Sequence, residues 1–471
     1  MYPDWVLKHK KKGTNISKIG DKYYLYEVTS KWNKEKGRAQ KITKGYLGRI
    51  TEEGFIPKKE KASISLPVNP TVKSYGEALV AESAGKDILE KLRLHFPESA
   101  ETIFAAAVLR LIHTQPFKRL QGEFEHSFLS ELFPEARLSK NNLTALLQSL
   151  GDSRERLSGF MREFTLETEH LLFDGTSIIT QSRKMGINNV GYNAHRQYDP
   201  QVNLMYAFSV ESNRPVYYRV FAGNVRDVSA FELCVKESGL KGVTVIADKG
   251  FCSEDNFEML TNTGLDYIVP LRRNSKAYAN TKFENGNKSN LDGYFIYGSR
   301  PIWYYQDDGV CFFLDEDLRA REEKDYIMRI EKKLEGFSKE AFLEKQYKFG
   351  TIALRSNLKL SAEEVYGLYK QRGQIEQTFD LLKNLLDQDS SYMQSQSAME
   401  GWAFINHISL LLCYNLYNML RVKKLLAKFS VPDFISHLRY IHKIRISSEW
   451  YTSEVSKKTS DFLYSLGIHI T

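Results

Sequence analysis

The sequence predicts an α/β protein centred on a mixed β-sheet, with a basic β module before it and helices on either side. Three observations carry this. Short apolar runs alternate with helical periodicity between about residues 170 and 271. The first 61 residues are rich in aromatic, β-branched and basic types. Between them, apolar residues recur at three- and four-residue steps. At 471 residues, 42% of them hydrophobic, the chain is long enough for several packed domains and too apolar to be disordered.

The N-terminal stretch reads as short strands, with Lys22–Thr29 and Gly45–Ile50 the clearest. Residues 1–61 hold 16 Lys/Arg against 7 Asp/Glu, while the whole chain carries +8, so nearly all the excess charge sits here. Lys31-Trp32, Lys34, Lys36, Arg38, Lys41, Lys44 and Tyr46 interleave cations with aromatics. A basic arm on a neutral body suits a polyanion such as nucleic acid, although a solvated lysine-rich terminus has the same composition. Lys61–Pro70, with Ser63, Ser65, Pro67 and Pro70, reads as a linker.

Helical periodicity follows in Ala78–Leu94, Ile103–Ile112 and Leu143–Phe160, with Ser139 and Ser153 as N-caps. No helix-turn-helix pattern stands out, so DNA binding and a purely structural bundle are both open for this region. His170–Thr180 is then a strand, Val202–Val210 and Val216–Phe221 a hairpin turning at Ser212-Asn213-Arg214, and Val228–Leu240 a helix. Gly242–Ala247 is a buried strand ending at Asp248, Asn256–Thr263 a helix and Asp266–Leu271 a strand. That order, with strands one to three antiparallel and the later ones parallel, fits a ribonuclease H-like core.

An insertion from Asn274 to Gln346 separates this core from its last helix. It contains aromatic strands (Gly293–Tyr297, Ile302–Tyr305, Val310–Leu314) and a charged helix near Leu318–Leu334, and Phe349–Arg355 is a further strand. The expected domains are 1–62, a basic β-rich module; 63–166, a helical region suited to DNA; 167–400, the catalytic core interrupted at 274–346; and 401–471, a C-terminal helical region.

Cys234, Cys252, Cys311 and Cys413 lie far apart, which excludes zinc-finger spacing and a disulfide framework. The first residues hold no hydrophobic signal region. Trp402–Leu420 is the most apolar stretch, but Asn406, His407, Asn415 and Asn418 argue for a buried helix over a membrane span. A cytoplasmic protein with reduced thiols, associated with the nucleoid, is expected.

Asp174 interrupts an apolar strand, where a lone carboxylate is costly unless paired or metal-bound. Asp248 ends its strand at the edge where open α/β sheets place ligands. Either could instead cap a loop. Ser361-Ala-Glu-Glu364 is a capping box, and no proline follows until Pro432, so one helix is expected through Leu386. On it Leu368, Ile375, Phe379, Leu382 and Leu386 form the buried stripe. Tyr369, Arg372, Glu376 and Lys383 fall within about 60° of each other at its border, a pattern that a solvated helix edge also produces.

Tyr369, Arg372, Glu376 and Lys383 read Y-x-x-R-x-x-x-E-x-x-x-x-x-x-K. This resembles the Tyr-Arg-Glu-Lys motif of bacterial insertion-sequence DDE transposases, in insertion sequence family four and its relatives. Asp248-Lys-Gly-Phe251 and Phe173-Asp-Gly-Thr-Ser177 resemble the blocks around that family's first two acids. Gly191-Tyr-Asn193, Asp199-Pro-Gln-Val202, Gly223-Asn224 and Asp227 are also similar. The likeness runs over about Leu171–Leu420 and is weaker at both ends.

The resemblance implies catalytic carboxylates Asp174, Asp248 and Glu376 holding two Mg²⁺ (or Mn²⁺) ions, Asp174 bridging both, for cleavage and strand transfer at inverted-repeat DNA ends. It implies that Tyr369, Arg372 and Lys383 handle DNA near the cut, and that the enzyme is a homodimer on double-stranded DNA with no membrane partner. Trp303, in Pro301-Ile-Trp-Tyr-Tyr305, is a candidate to stack on a flipped base, and Lys249 to touch phosphate. A core Trp and a solvated Lys fit those two positions equally, and His407 reads as a hydrogen-bonded core histidine. Two other readings share the acids: a ribonuclease H-like nuclease or resolvase, and a non-enzymatic DNA-binding protein derived from a transposase.

Overall fold

The computed structural model describes residues 2–33, 37–58, 70–182, 184–191, 199–225, 227–279, 281–283, 288–386 and 390–470. Nearly all of the expected linker, as well as Tyr192 and Asn193, lies outside them. The chain divides into two compact units, Met1–Pro70 and Thr71–Thr471.

In the first unit, a short helix (Asp4–Leu7) precedes a four-stranded antiparallel meander of Thr14–Ile19, Lys22–Asn33, Arg38–Thr51 and Gly54–Pro57. Its core is small: Val6, Ile16, Leu25 and Ile50, with Trp5, Tyr23 and Leu47 packed around them. The two long strands outrun the sequence expectation because they pair far beyond this core.

The second unit is built on an eleven-stranded mixed sheet. At its centre Thr244–Ala247 lies parallel to both His170–Thr180 and Asp266–Pro270. All four of its residues are buried, as a strand with covered faces requires. Beyond His170–Thr180 the sheet continues antiparallel through Pro200–Ser209 to Arg214–Ala222, and Asn213 takes the left-handed backbone (φ 47°) that the tight turn needs. On the other side, Thr351–Ser356, Val310–Asp315, Arg300–Asp307 and Gly293–Tyr297 add antiparallel strands. The β-rich segment after residue 274 is therefore an extension of one sheet.

The helical region includes Gly76–Ala84, Lys86–His95, Ala100–His113, Lys140–Asp152 and Arg154–Arg162. Ser139 caps as expected, its side chain accepting from the Asn142 N–H; Ser153 precedes the last helix without a side-chain cap bond. Gln396–Val422 is a 27-residue helix, mostly buried, that packs on Ala100–His113, Lys140–Asp152 and the Arg214–Ala222 strand. Among the described residues no helix is long and apolar enough to cross a membrane.

The C-terminal region departs from the all-helical expectation. His442–Ile446 and Glu449–Thr452 form a hairpin that pairs with Thr71–Ser74. Their short, charged strands gain their partner from the far end of the unit, a non-local pairing that periodicity cannot register.

The last core helix also differs from expectation. The capping box at Ser361 forms, with Glu364 returning to the Ser361 N–H at 2.9 Å. The helix then runs only Ala362–Lys370, resumes at Gly373–Asp380 and closes with a π turn, Leu381–Leu385. At the break the N–H groups of Gln371, Arg372, Gln374 and Ile375 each bond three residues back, the tighter 3₁₀ pattern. Gly373, a poor helix former, sits inside this break. Ile375 and Leu386 are buried, and Leu368 and Phe379 pack on the core.

Helices Lys140–Asp152 and Gln396–Val422 approach so closely that a Cβ on Gly401 would stand 2.1 Å from the Leu147 carbonyl oxygen. Gly401→Ala is therefore expected to destabilise the protein by roughly 1–3 kcal/mol, despite alanine's better helix propensity. Gly122→Ala, in a helix where nothing lies within 4 Å of the new Cβ, is expected to be neutral or mildly stabilising. Melting midpoints of the two variants check this; equal shifts would contradict it.

Candidate active site

Strand register sets the first two acids side by side. Ile246 pairs with Leu172 and Ala247 with Phe173 in parallel, so the next residues, Asp248 and Asp174, emerge together at one sheet edge. After Asp248 the chain turns away through the 3₁₀ segment Lys249–Phe251. The third acid comes from the broken helix. Gly373–Asp380 lies on the His170–Thr180 and Pro200–Ser209 strands, with the Phe379 ring edge-on to Tyr206 at 6.1 Å and the Thr378 and Tyr414 hydroxyls 2.8 Å apart. This docking buries Ile375 and leaves Glu376 facing outward beside the strand ends.

Arg372 joins the three acids. Its Nη1 is 3.4 Å from Asp174 Oδ2 and 3.6 Å from Asp248 Oδ1, and its Nη2 donates to Glu376 Oε1 at 2.9 Å. Asp174 also accepts the Gly175 N–H at 2.8 Å. Three carboxylates thus share one guanidinium and are spread around it. Burial raises the Asp174 carboxyl to about 6; Asp248 and Glu376 push the same way, while the Gly175 N–H and Arg372 pull it down. Burial likewise raises the Tyr369 phenol, with Arg372 opposing.

A cavity of about 770 Å³ opens beside the acids, lined by Asp248, Lys249, Tyr369 and Arg372 and by Arg272 and Arg273. Arg273 is committed to Glu322, at 2.9 and 3.0 Å; Arg272 is exposed. Sequence reasoning missed both arginines. Their one signal was position, directly after the Asp266–Pro270 strand, at the same edge as Asp248.

The remaining predicted residues fall differently. Lys249 is exposed at the cavity wall. Lys383 lies in the π turn, off the helical phase that placed it beside Glu376, and makes no ion pair among the described residues. Trp303 is on a strand four places from the Asp248 strand, roughly 19 Å across the sheet at about 4.8 Å per strand. It is half-buried between Tyr294, 5.1 Å between ring centres, and the Lys288 ammonium, 4.7 Å from its ring. This chain does not bring Trp303 to the acids. His407 is fully buried as expected, but neither ring nitrogen has a hydrogen-bond partner among the described residues, and burial lowers it to about 3.

All the donors among the three acids are oxygens, a set that fits hard divalent cations. Three anionic groups against one guanidinium also leave a deficit of positive charge. Among the described residues, the group of three whose ligand atoms all lie within 4.8 Å of one another is Glu169, His170 and Glu211, at the start of the Asp174 strand, about 13 Å along the chain; the oxygens of Asp174, Asp248 and Glu376, spread around Arg372, are not that close together. In the former group Glu211 is already bonded to His170 Nδ1 at 2.7 Å.

The family model described as the transposase DDE domain matches residues 165–416, a span that includes the three acids, Tyr369, Arg372 and Lys383. No curated protein matches the chain. A solved structure, the piggyBac transposase synaptic complex with hairpin DNA, is similar at 11% identity over 79% of this chain and 82% of that one, with a TM-score of 0.40.

The folded-state value of Asp174 lies above its ordinary 3.8, so the fold prefers the protonated form. Its favourable contribution is full below about pH 4 and is lost as pH rises through about 6. Asp174→Asn is therefore expected to stabilise the metal-free protein above pH 6 by roughly 1–3 kcal/mol and to change little near pH 4. Thermal melts in EDTA across this range test it; a gap that does not depend on pH would count against it.

Proposed function

Since this chain belongs to the transposase DDE domain family, we propose that it is an insertion-sequence transposase that cuts and joins DNA at the ends of its element by metal-assisted phosphoryl transfer. The observation that carries this is the convergence of Asp174, Asp248 and Glu376 on Arg372. The strand order and directions suit a ribonuclease H-like core, with the strands between residues 293 and 315 as its insertion. The Tyr369-Arg372-Glu376 spacing supports the Tyr-Arg-Glu-Lys relatives of insertion sequence family four, with Lys383 the position least supported by the geometry.

In this reading Asp174, Asp248 and Glu376 would hold two Mg²⁺ or Mn²⁺ ions. Such ions supply a lowered water pKa, charge neutralisation at phosphate and leaving-group stabilisation. Bound cations would favour the ionised form of Asp174, offsetting the burial and like charges that raise it. Arg372, held between the acids, has a planar fork that fits phosphate bidentately, so it serves the same site by pairing with the scissile phosphodiester. Tyr369 flanks the cavity and offers its phenol to the DNA backbone. Lys249 and exposed Arg272 line the path along which a strand would leave the acids. Attack by water, and later by a 3′-hydroxyl, needs no covalent protein intermediate.

Incubation of the purified protein with duplex DNA carrying the sequences that flank its gene, with Mg²⁺, is expected to give nicked and then joined products. Asp248→Ala or Glu376→Ala is expected to reduce both by about 10³-fold or more, since metal-assisted stabilisation is worth several kcal/mol. Each variant should also lose the Mg²⁺-induced rise in melting temperature. Full activity in either variant would refute the assignment, and nicking without joining would favour a nuclease. Arg372→Lys keeps the charge but not the fork, and a loss of roughly 10- to 100-fold is expected; a rate equal to the parent's would remove the phosphate-clamp role.

A further inference from the structure

The paired strands Lys22–Asn33 and Arg38–Thr51 run well past the small core of the N-terminal unit. Thr14–Ile19 covers the first strand only as far as Glu27, and Gly54–Pro57 covers the second only from Gly48. Val28 still donates its N–H to the Gly13 carbonyl oxygen at 2.8 Å; from Thr29↔Ile42 to Asn33↔Arg38 the two strands pair with no other strand among the described residues. A register shift between Glu27 and Val28 marks where this free ribbon begins. None of its residues is buried, and Trp32 is 64% exposed. A two-stranded ribbon with both faces bare is marginally stable at best, so a ribbon of this length is explained by something that covers it.

Its chemistry selects the occupant. Residues 28–33 and 38–45 contain Lys31, Arg38, Lys41 and Lys44 and no carboxylate. Lys31, Arg38 and Lys41 make no ion pair among the described residues. Pairing with the ribbon of a second copy would oppose like charges along both edges, an arrangement that blocks edge-to-edge association. A polyanion does the reverse.

The two faces differ. Strand alternation and cross-strand register put Lys31, Asn33, Arg38 and Gln40 on one face with Thr29 and Ile42. Val28, Ser30, Trp32, Ala39, Lys41 and Thr43 share the other. The first face carries the side-chain types that read base edges in the major groove: Arg and Lys for guanine, Asn and Gln for adenine. Asn33 Nδ2 donates to Gln40 Oε1 at 3.1 Å, which links the two amides on this face of the ribbon. A major groove about 12 Å wide admits a two-stranded β-ribbon, and six residue pairs at about 3.3 Å each reach over roughly three to six base pairs.

We infer that this ribbon is a sequence reader: it inserts into the major groove of double-stranded DNA and recognises a short run of base pairs through Lys31, Asn33, Arg38 and Gln40. The inference rests on the DNA-transposase reading and adds to it where sequence recognition resides. It places recognition on a β-ribbon that the acids do not need for chemistry.

The test is selection of bound sequences from a randomised duplex library by the full-length protein at physiological salt, with Mg²⁺-dependent nicking of supercoiled plasmid measured in parallel. The parent is expected to enrich a defined sequence. Arg38→Ala/Gln40→Ala is expected to lose preference at a contiguous run of about three to six positions and to bind the parent's sequence roughly 5- to 150-fold more weakly. Ser30→Ala/Thr43→Ser, on the opposite face, should leave the preference intact. The same enriched sequence in both variants, a uniform loss on all duplexes, or a change caused only by the opposite face would overturn the ribbon's role. Nicking by a parent that enriches nothing overturns the ribbon alone; a parent that neither nicks nor enriches overturns the transposase reading with it.

Discussion

Three carboxylates gathered around one guanidinium are the constraint on which the rest of the second unit depends. Asp174, Asp248 and Glu376 all lie within 3.6 Å of Arg372 nitrogens. Like charges gathered around one cation repel one another, more strongly where water is partly excluded. The Asp174 carboxyl is raised chiefly by its burial, with the Asp248 and Glu376 charges adding to it. A site of this kind forms only if packing elsewhere imposes it, and the same unfavourable charge makes it receptive to cations. Perturbed carboxylates of this kind are characteristic of functional sites.

The packing that imposes it is extensive. The Asp248 strand is buried over its whole length between parallel neighbours, so its register, and with it the Asp248–Asp174 adjacency, cannot slip without exposing apolar side chains. The Glu376 helix is held through Ile375, Phe379 and the Thr378–Tyr414 contact. At its far end Arg110, itself buried, donates to the Leu386 carbonyl oxygen and to Asn406. Both Tyr414 and Asn406 belong to Gln396–Val422, so this long helix supports the third acid from behind. The same helix carries His407 beside Tyr206 and Tyr218, with no hydrogen-bond partner among the described residues. Burying such a group unsatisfied costs about 1–3 kcal/mol, and the surrounding aromatic packing offsets it.

The first unit follows the opposite logic. Its core is four side chains, and its longest element extends beyond any packing. Where the second unit spends apolar burial to hold a difficult polar site, the first leaves polar and basic side chains uncovered on a ribbon. The proposed division of labour between chemistry and recognition follows these two patterns of burial.

Local chemistry made much of this legible. Strand and helix types between 170 and 271, the aromatic strands after 290 and the Ser361 capping box follow from periodicity and side-chain preference, which act within a few residues. The acids stood out because a carboxylate is anomalous in an apolar strand or at its end. Other features needed the folded chain. The pairing of Thr71–Ser74 with the C-terminal hairpin joins segments more than 350 residues apart. The π turn at Leu381–Leu385 moved Lys383 off the helical phase that placed it beside Glu376, and the length of the Trp303 sheet extension carried that ring away from the acids. The sequence by itself determined which residue types could do phosphoryl chemistry and the local elements that carry them. Only the tertiary structure decided which of them meet, because register across a sheet and the docking of a bent helix are set by burial summed over distant segments, and no local pattern contains that sum.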